Sequence, residues 1–140
     1  MIVGFPSEYQ EDFQKTLEIM ETVEFDSAFM FRYSVRDGTK AARFEDEVPE
    51  EEKLKRLYEL INLQKEISKK KNQRFLGKTV EVLVDEKSRR DRNKWKGKAR
   101  TNQTVIIDTK EDILGKIVSV KINDADSFTL FGNPQTVNII

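Results

Sequence analysis

Apolar side chains at helical spacing predict the first helix of the chain, over residues 8–22. Its apolar positions are Phe13, Leu17, Met20 and Val23. Ser7 and Gln10 have the three-residue spacing of a capping box, which satisfies backbone N–H groups at a helix start. An apolar run at 1–6 and an aromatic-rich run at 25–33 flank this helix and predict strands. The order strand, helix, strand predicts a βαβ unit, whose two strands are parallel.

A longer helix is predicted to open at Pro49, because leucine and isoleucine recur on one face. The face consists of Leu54, Leu57, Leu60, Ile61, Leu63 and Ile67. Acidic residues crowd the start of this helix and lysines crowd its end, which complements the helix dipole. We therefore assign both charge runs to helix stabilisation rather than to a binding site.

Beyond Gly77 the helical period disappears and alternation takes over. Five short strands are predicted, at 79–85, 96–100, 104–108, 115–123 and 127–131. They predict a small closed barrel of the oligonucleotide-binding kind, since closure leaves no open strand edge. Phe128 and Phe131, near the end of this region, are expected to be mostly in its core. The predicted fold class is α+β, with a partial (β/α) segment carrying two helices in residues 1–74 and a five-stranded OB-like barrel in residues 75–140.

Composition narrows the possible chemistry. The chain contains no Cys and no His, so it has no thiolate or imidazole nucleophile and no ligands for cysteine-bound zinc or iron–sulfur sites. The net charge is zero, but residues 1–76 carry 13 Lys or Arg against 16 Asp or Glu, and residues 77–140 carry 12 against 9. An acidic helical part with a basic β part is typical of a protein that meets nucleic acid. No apolar run approaches the ~20 residues of a membrane span, so we expect a cytoplasmic protein.

One stretch concentrates positive charge that no helix end explains. Residues 87–100 read KSRRDRNKWKGKAR, with Asp91 as the single acid. The eight basic positions are Lys87, Arg89, Arg90, Arg92, Lys94, Lys96, Lys98 and Arg100. Strand-like runs precede and follow the stretch, so it is predicted to form a basic loop and ribbon that attracts phosphates. Trp95 lies within it and either stacks on a base or packs on the barrel, and the sequence leaves both readings open.

A further set of motifs runs along the chain, at residues 2–6 (IVGFP), Glu8, 11–13 (EDF), 29–41 (FMFRYSVRDGTKA), 48–51 (VPEE), the helix at 60–72, 77–84 (GKTVEVLV), 97–102, 115–116 and 130–132. Together these segments resemble the C-terminal portion of the radical S-adenosylmethionine methylthiotransferases. The forms at 33–39 and 128–132 are most similar to the MiaB-type tRNA enzymes. Relatives that modify a ribosomal protein or a different tRNA base are the nearest alternatives. Ala99 departs from the family pattern, which usually has Thr at this place.

The resemblance implies that residues 1–74 end a radical S-adenosylmethionine (β/α) barrel and that residues 75–140 form a TRAM domain, a small β-barrel that engages RNA. It implies a parent enzyme that adds a methylthio group to an isopentenyl-adenosine beside the anticodon. Such an enzyme uses S-adenosylmethionine and two 4Fe-4S clusters held by Cys. We expect the Cys-x-x-x-Cys-x-x-Cys segment to lie upstream, and this chain alone to be inactive and to bind none of these cofactors.

The resemblance also implies roles for particular residues. Near the S-adenosylmethionine pocket it places Gly4, Phe5, Pro6 and Glu8. On a substrate-face loop it places Tyr33, Ser34 and Arg36. It also places the basic run on an RNA-facing barrel, where the charge pattern leads us to expect RNA contacts from Arg89, Arg90, Arg92, Lys94, Lys96, Lys98 and Arg100, with Trp95 among them as a candidate for base stacking. The implied partner is the anticodon stem-loop of a tRNA, and the exposed strands of residues 1–74 predict self-association. A stand-alone RNA-binding adaptor is the alternative from another functional class.

Overall fold

The computed structural model describes residues 1–89 and 91–136, with the main chain only at residue 136. The chain divides into two compact units, Met1–Ile67 and Ser68–Ile140, which we call the N-terminal unit and the barrel unit. Helices and a two-stranded sheet form the first unit, and a closed five-stranded barrel forms the second. The predicted α+β class, with a small barrel in its second half, is therefore confirmed.

The N-terminal unit has the predicted βαβ order. Strand β1 (Ile2–Val3) pairs in parallel with β2 (Phe31–Arg32), and helix α1 (Gln10–Val23) lies between them in the chain. Both strands are much shorter than the predicted runs. Gly4 ends β1 because its φ of +72° lies in the left-handed region. With only two residues of β1 available for pairing, β2 is equally short.

Helix α1 begins two residues later than predicted, and the predicted capping box is wrong. Ser7 has a φ of +65°, and its hydroxyl donates to the carbonyl oxygen of Pro6 (2.5 Å) instead of capping the helix. The residue before the helix is Tyr9, whose N–H donates to the carboxylate of Asp12 (3.0 Å). Asp12, in the first turn, thus accepts the hydrogen bond from the N-cap backbone N–H that the sequence pattern had assigned to Gln10.

Helix α2 (Glu50–Gln73) supplies the other wall of the N-terminal core. Buried apolar side chains of this core are Val3, Phe13, Leu17, Met20, Leu60 and Ile67. Val23 and Leu54, which the periodicity placed on apolar faces, are exposed by 54% and 36%. The buried face of α2 begins instead with Lys53 and Arg56, which are 1% and 6% exposed. Among the described residues no helix is long and apolar enough to cross a bilayer.

Within its described residues, the barrel unit contains five strands in the predicted order. They are β3 (Thr79–Lys87), β4 (Lys94–Ala99), β5 (Thr104–Asp108), β6 (Ile117–Ala125) and β7 (Thr129–Thr136). Around the barrel the order is β3-β4-β5-β7-β6, and β6 pairs with β3 to close it. Neighbouring strands are antiparallel except β5 and β7, which run parallel. Closure leaves this sheet no open edge.

The barrel core consists of alternate, inward-facing apolar residues. Buried members of this core include Val82, Val84, Trp95, Val105, Ile107, Ile113, Val118, Val120, Ile122 and Leu130. Two inward positions are glycine because the strands approach closely there. A Cβ at Gly97 would lie 2.3 Å from the carbonyl oxygen of Leu83, and one at Gly132 would lie 2.2 Å from that of Lys121.

The expectation for the aromatic rings near the end of the chain was wrong. Leu130 is fully buried, whereas Phe131 is only partly buried and Phe128 is 69% exposed. Adjacent residues of a strand point to opposite faces, so Phe131 must face outward when Leu130 faces the core. Phe128 precedes β7, in the turn after β6.

Candidate nucleic-acid interface

Strand β4 carries three of the predicted RNA-binding lysines on its outer side. Trp95, Gly97 and Ala99 are buried, and the residues between them point outward because side chains alternate along a strand. The outward residues are Lys94, Lys96 and Lys98. Successive outward residues on a strand are about 6.7 Å apart. The alternation therefore converts part of the basic run into a line of three ammonium groups on the barrel surface.

Carboxylates on β3 pair with two of the basic side chains. Lys96 Nζ lies 3.0 Å from Glu86 Oε2, and Arg100 Nε lies 2.5 Å from Glu81 Oε2. The hydrogen bond and charge of Lys96 hold the pKa of Glu86 below its ordinary value, and Glu86 in turn raises the pKa of Lys96. All four side chains are substantially exposed, so the pairs are screened and can be exchanged for other partners.

The loop between β3 and β4 is organised by Asp91. The N–H of Asp91 donates to Ser88 Oγ (3.2 Å), and the Asp91 carboxylate accepts from the N–H of Asn93 (3.0 Å). Its second oxygen lies 4.0 Å from Lys94 Nζ. The single acid of the basic run thus shapes the loop and partly offsets the charge at the start of β4.

The remaining basic residues of the run extend the positive surface. Arg89 and Arg92 are exposed in the β3–β4 loop, and Arg90 lies outside the described residues. Lys98 Nζ donates to Thr104 Oγ1 (2.9 Å), a neutral acceptor on β5. The structure therefore brings together, along β4 and the loop before it, most of the basic residues that the sequence singled out.

Trp95 takes the packing role that the sequence had left open beside base stacking. Its side chain is 2% exposed, and Nε1 donates to the carbonyl oxygen of Thr109 (3.2 Å). Lys87 Nζ lies 4.6 Å from the ring centroid, a distance typical of a cation–π contact. With so little of the ring exposed, Trp95 offers no face to a base, and we leave it out of the interface.

The residues predicted near an S-adenosylmethionine pocket are engaged with one another and with α2. They are Gly4, Phe5, Pro6 and Glu8. The N–H of Gly4 donates to Glu8 Oε1 (2.8 Å), and the same oxygen accepts from Arg56 Nη1 (2.8 Å). A Cβ at Gly4 would lie 2.3 Å from Lys53 Cγ, so the space beside this glycine is filled.

These contacts bear on whether residues 4–8 could bind S-adenosylmethionine without the rest of the parent enzyme. The backbone donor of Gly4 and the carboxylate of Glu8 already have partners, and Lys53 fills the space beside Gly4. Gly4 and Glu8 are therefore already engaged within this chain, and the placement of the four residues near an S-adenosylmethionine pocket stays a prediction. A 4Fe-4S cluster held by Cys does not fit, because the chain has no Cys, and the described residues contain no group of three His, Cys, Asp or Glu side chains placed to hold a metal ion.

The predicted substrate-face loop contains one buried ring and exposed polar residues. Tyr33 is 7% exposed, and its ring meets that of Phe5 edge-on at 5.1 Å between centroids. Phe5 also contacts Phe44 at 6.2 Å. Ser34 and Arg36 are exposed. The loop thus adjoins the segment around Phe5, as the parallel pairing of β1 and β2 requires.

The N-terminal unit contains a buried ion-pair network that was not predicted from the sequence. Arg56 is 6% exposed, and its guanidinium lies 2.8 Å from Glu8 Oε1 and 3.1 Å from Glu52 Oε1. The guanidinium also donates to the carbonyl oxygen of Glu8 (2.8 Å). One arginine therefore joins the start of α1 to the first turns of α2.

Lys53 forms the second buried cation of this unit. Its ammonium pairs with Asp46 and with Glu50, and it lies 5.3 Å from the centroid of the Tyr33 ring. Burial by itself would lower the pKa of Lys53, but the hydrogen bonds and charges of the two carboxylates outweigh burial and raise the pKa. In the sequence, Lys53 could have been noticed only as a basic residue on the same helix face as the apolar Leu60.

Comparison with known proteins identifies the barrel. Residues 73–134 match the model of the TRAM domain. This stretch contains β3 to β6 and most of β7, including the whole β4 face described above. The predicted TRAM domain is therefore confirmed.

Nearly the whole chain is similar to a group of tRNA-modifying enzymes. It is 50% identical over 132 residues to the tRNA-2-methylthio-N(6)-dimethylallyladenosine synthase of Clostridium botulinum (strain Okra), which covers 94% of this chain and 29% of the relative. Identity to the synthases of the same name from Parabacteroides distasonis and Porphyromonas gingivalis is 48% and 49%, over 96% and 94% of this chain. The chain spans 29–30% of the length of these relatives. The resemblance stated from the motifs is confirmed.

Proposed function

We propose that this chain, which is a relative of the tRNA methylthiotransferases and carries a TRAM domain, binds tRNA through the outer face of its barrel. In this proposal the chain is the RNA-holding part of an enzyme that methylthiolates an isopentenyl-adenosine beside the anticodon. The anticodon stem-loop is the proposed ligand. The observation that carries the proposal is the line of lysines on β4, which faces solvent while the strand's apolar residues face the core.

The chemistry of this face suits a phosphate backbone. Three ammonium groups on one strand, with exposed arginines in the loop before it, neutralise several phosphates and release their counterions. Lys96 and Arg100 must exchange the carboxylates of Glu86 and Glu81 for phosphates when RNA binds. Since these pairs are exposed, the exchange costs little.

Salt dependence of RNA binding tests this proposal. We expect the affinity of the full chain for an anticodon stem-loop to fall steeply with salt, with a log–log slope of roughly −0.7 to −0.9 per phosphate contact. Replacing Lys94, Lys96 and Lys98 together by Gln should reduce the slope by about two to three. Fluorescence anisotropy with labelled RNA over a range of salt concentrations measures both quantities.

A matched control separates the β4 face from net charge. The control replaces three other lysines of the barrel unit by Gln, namely Lys78, Lys110 and Lys116, which changes the net charge equally. Its slope should remain close to that of the unmodified chain. Equal losses in the two triple variants, or binding that does not respond to salt, would exclude β4 as the RNA-binding face.

A chimera tests the enzymatic context. The chain should replace the corresponding part of the Clostridium botulinum synthase, to which it is 50% identical, and the chimera should methylthiolate tRNA, as measured by mass spectrometry of nucleosides. In the proposed parent enzyme the rest of the protein holds both 4Fe-4S clusters, because this chain has no Cys, and Gly4, Phe5, Pro6 and Glu8 lie near the S-adenosylmethionine pocket. In the chimera, the triple Gln variant of β4 should raise KM for tRNA with a smaller effect on kcat. RNA binding without any activity of the chimera would favour the adaptor instead.

We also propose that the N-terminal unit self-associates. Its two-stranded sheet has open edges, and Ile2 and Phe31 on it are each 58% exposed. Light scattering over a range of concentrations should show a mass that rises with concentration. A constant monomer mass up to high concentration would contradict this expectation.

A further inference from the structure

We infer that the outer face of β4, β5 and β7 holds one unpaired nucleotide of the RNA, with its phosphate at Lys96 and its base on the ring of Phe131. Ile106 forms the apolar floor between the two. This inference rests on the proposed RNA-binding function and adds to it a residue that recognises bases.

Strand register places the three residues in a single row. Lys96 lies opposite Ile106 in the antiparallel β4–β5 pair, and Ile106 lies opposite Phe131 in the parallel β5–β7 pair. Neighbouring strands are about 4.8 Å apart, so the row from Lys96 to Phe131 spans about 10 Å.

All three side chains point outward. Each lies between two buried positions of its own strand, and alternation therefore sends it to the outer surface. The buried flanking pairs are Trp95 and Gly97, Val105 and Ile107, and Leu130 and Gly132. Lys96, Ile106 and Phe131 themselves are partly exposed. The row therefore presents an ammonium group at one end and an aliphatic and aromatic surface at the other.

The chemistry of this row matches a nucleotide. A nucleotide joins an anionic phosphate to a base with a large apolar face, and proteins bind unpaired bases by stacking them on aromatic rings beside a basic groove. Carboxylates limit the row at both ends, since Glu86 lies opposite Lys96 and Asp124 lies opposite Phe131. A second phosphate in the same row would meet a negative charge, so the row accommodates a single nucleotide.

The base must be unpaired, because a base inside a duplex has both faces covered by its stacked neighbours. This requirement separates the row from the lysine line of β4. The lysines contact phosphates of any RNA, whereas Phe131 distinguishes RNA with accessible bases from a backbone without them.

The test compares two probes of equal length and charge, an oligouridine and the same oligomer with abasic sites. Phe131→Ala in the full chain should weaken oligouridine binding by about 5- to 150-fold, the range found for loss of a stacked base. Binding of the abasic oligomer should be unchanged within about twofold, and Phe131→Trp should restore oligouridine affinity. Lys96→Gln should weaken both probes, because it removes a phosphate contact.

Phe128→Ala is the matched control, since Phe128 is a more exposed ring of the same unit, outside the row. It should leave the ratio of the two affinities unchanged. If the unmodified chain binds neither probe, the proposed RNA-binding function fails. If it binds both equally well and Phe131→Ala has no effect, only this inference fails. A preference for oligouridine that is lost in Phe128→Ala, but kept in Phe131→Ala, also overturns it.

Discussion

The two units of the molecule place their charged side chains differently. The N-terminal unit buries two cations, Lys53 and Arg56, and leaves aromatic rings such as Phe29 and Phe44 exposed by 85% and 53%. The core of the barrel unit is apolar, and the described basic residues of its run, all but Arg90, are exposed or partly exposed.

This difference teaches what each unit depends on. A closed barrel satisfies the hydrogen bonds of its strands internally and needs only apolar packing in its core. A sheet of two short strands has open edges and too little apolar surface to be stable alone. In the N-terminal unit, ion pairs between α2 and the segments around Glu8 and Asp46 supply connections that apolar packing supplies in the barrel.

The largest effect is expected from Arg56→Met in the N-terminal unit. Removing the guanidinium leaves the largely buried carboxylate of Glu8 with the Gly4 N–H but without a cation, which should cost about 3–5 kcal/mol of unfolding free energy. Urea unfolding followed by far-UV circular dichroism should show this loss. The fluorescence of Trp95, which lies in the barrel core and is the single Trp of the chain, should report an unchanged barrel transition.

Arg32→Met serves as the control for Arg56, because its ion pair with Glu50 is exposed on both sides. Its cost should stay below about 1 kcal/mol. Equal losses for Arg32→Met and Arg56→Met would show that burial of the network contributes nothing.

A smaller effect, confined to the barrel, is expected from Gly97→Ala. The added Cβ would meet the main chain of Leu83, so β3 and β4 must separate, at a cost of about 1–3 kcal/mol. Urea unfolding followed by Trp95 fluorescence measures it. Lys98→Ala on the outer side of the same strand should change stability by no more than about 0.5 kcal/mol. A neutral Gly97→Ala would mean that the strands do not approach so closely.

Trp95→Phe should separate core packing from RNA recognition. The change removes the hydrogen bond from Nε1 to Thr109 and should cost about 1 kcal/mol, measured by calorimetry. RNA affinity, measured by anisotropy at fixed salt, should be unchanged. A large loss of RNA affinity in a well-folded variant would show that Trp95 does contact RNA.

The smallest effect concerns pH and the buried Lys53. The carboxylates of Asp46 and Glu50 raise the pKa of Lys53, so its stabilising effect is complete below the ordinary lysine pKa of 10.5. That contribution is lost as pH rises through the higher pKa of the folded state. The circular dichroism transition of the unmodified chain should therefore weaken at alkaline pH relative to that of Lys53→Met. Parallel pH dependence of the two proteins would contradict this assignment.

The sequence predicted what depends on local alternation and little of what depends on distant partners. Residues 104–108 were predicted as a strand and form one with the same bounds, because period-two patterning is a property of neighbouring residues. The lysine line of β4 follows from the same alternation. The role of Arg56 does not, since its partner Glu8 is 48 positions away in the chain. From the sequence alone, a charged residue on a helix is predicted to be exposed to solvent. A distant carboxylate that pairs with it becomes visible only in the folded structure.

The candidate interface shows the same division. The basic run was visible from charge alone, but Trp95 was assigned to it only through proximity in sequence. Phe131 was expected in the core, and it is the register of β4, β5 and β7 that puts it in a row with Lys96. Register between β5 and β7 joins strands that are separated in the chain by β6, and no short-range pattern encodes it.

The parallel pairing of β5 with β7 has a consequence for synthesis on the ribosome. Strand β7 emerges after the other four strands, and both of its neighbours, β5 and β6, precede it in the chain. The lysines of β4 are therefore synthesised before Phe131, and β5 and β6 both lack their β7 partner until the last strand is made. The step that completes the barrel is also the step that completes the proposed base-binding row.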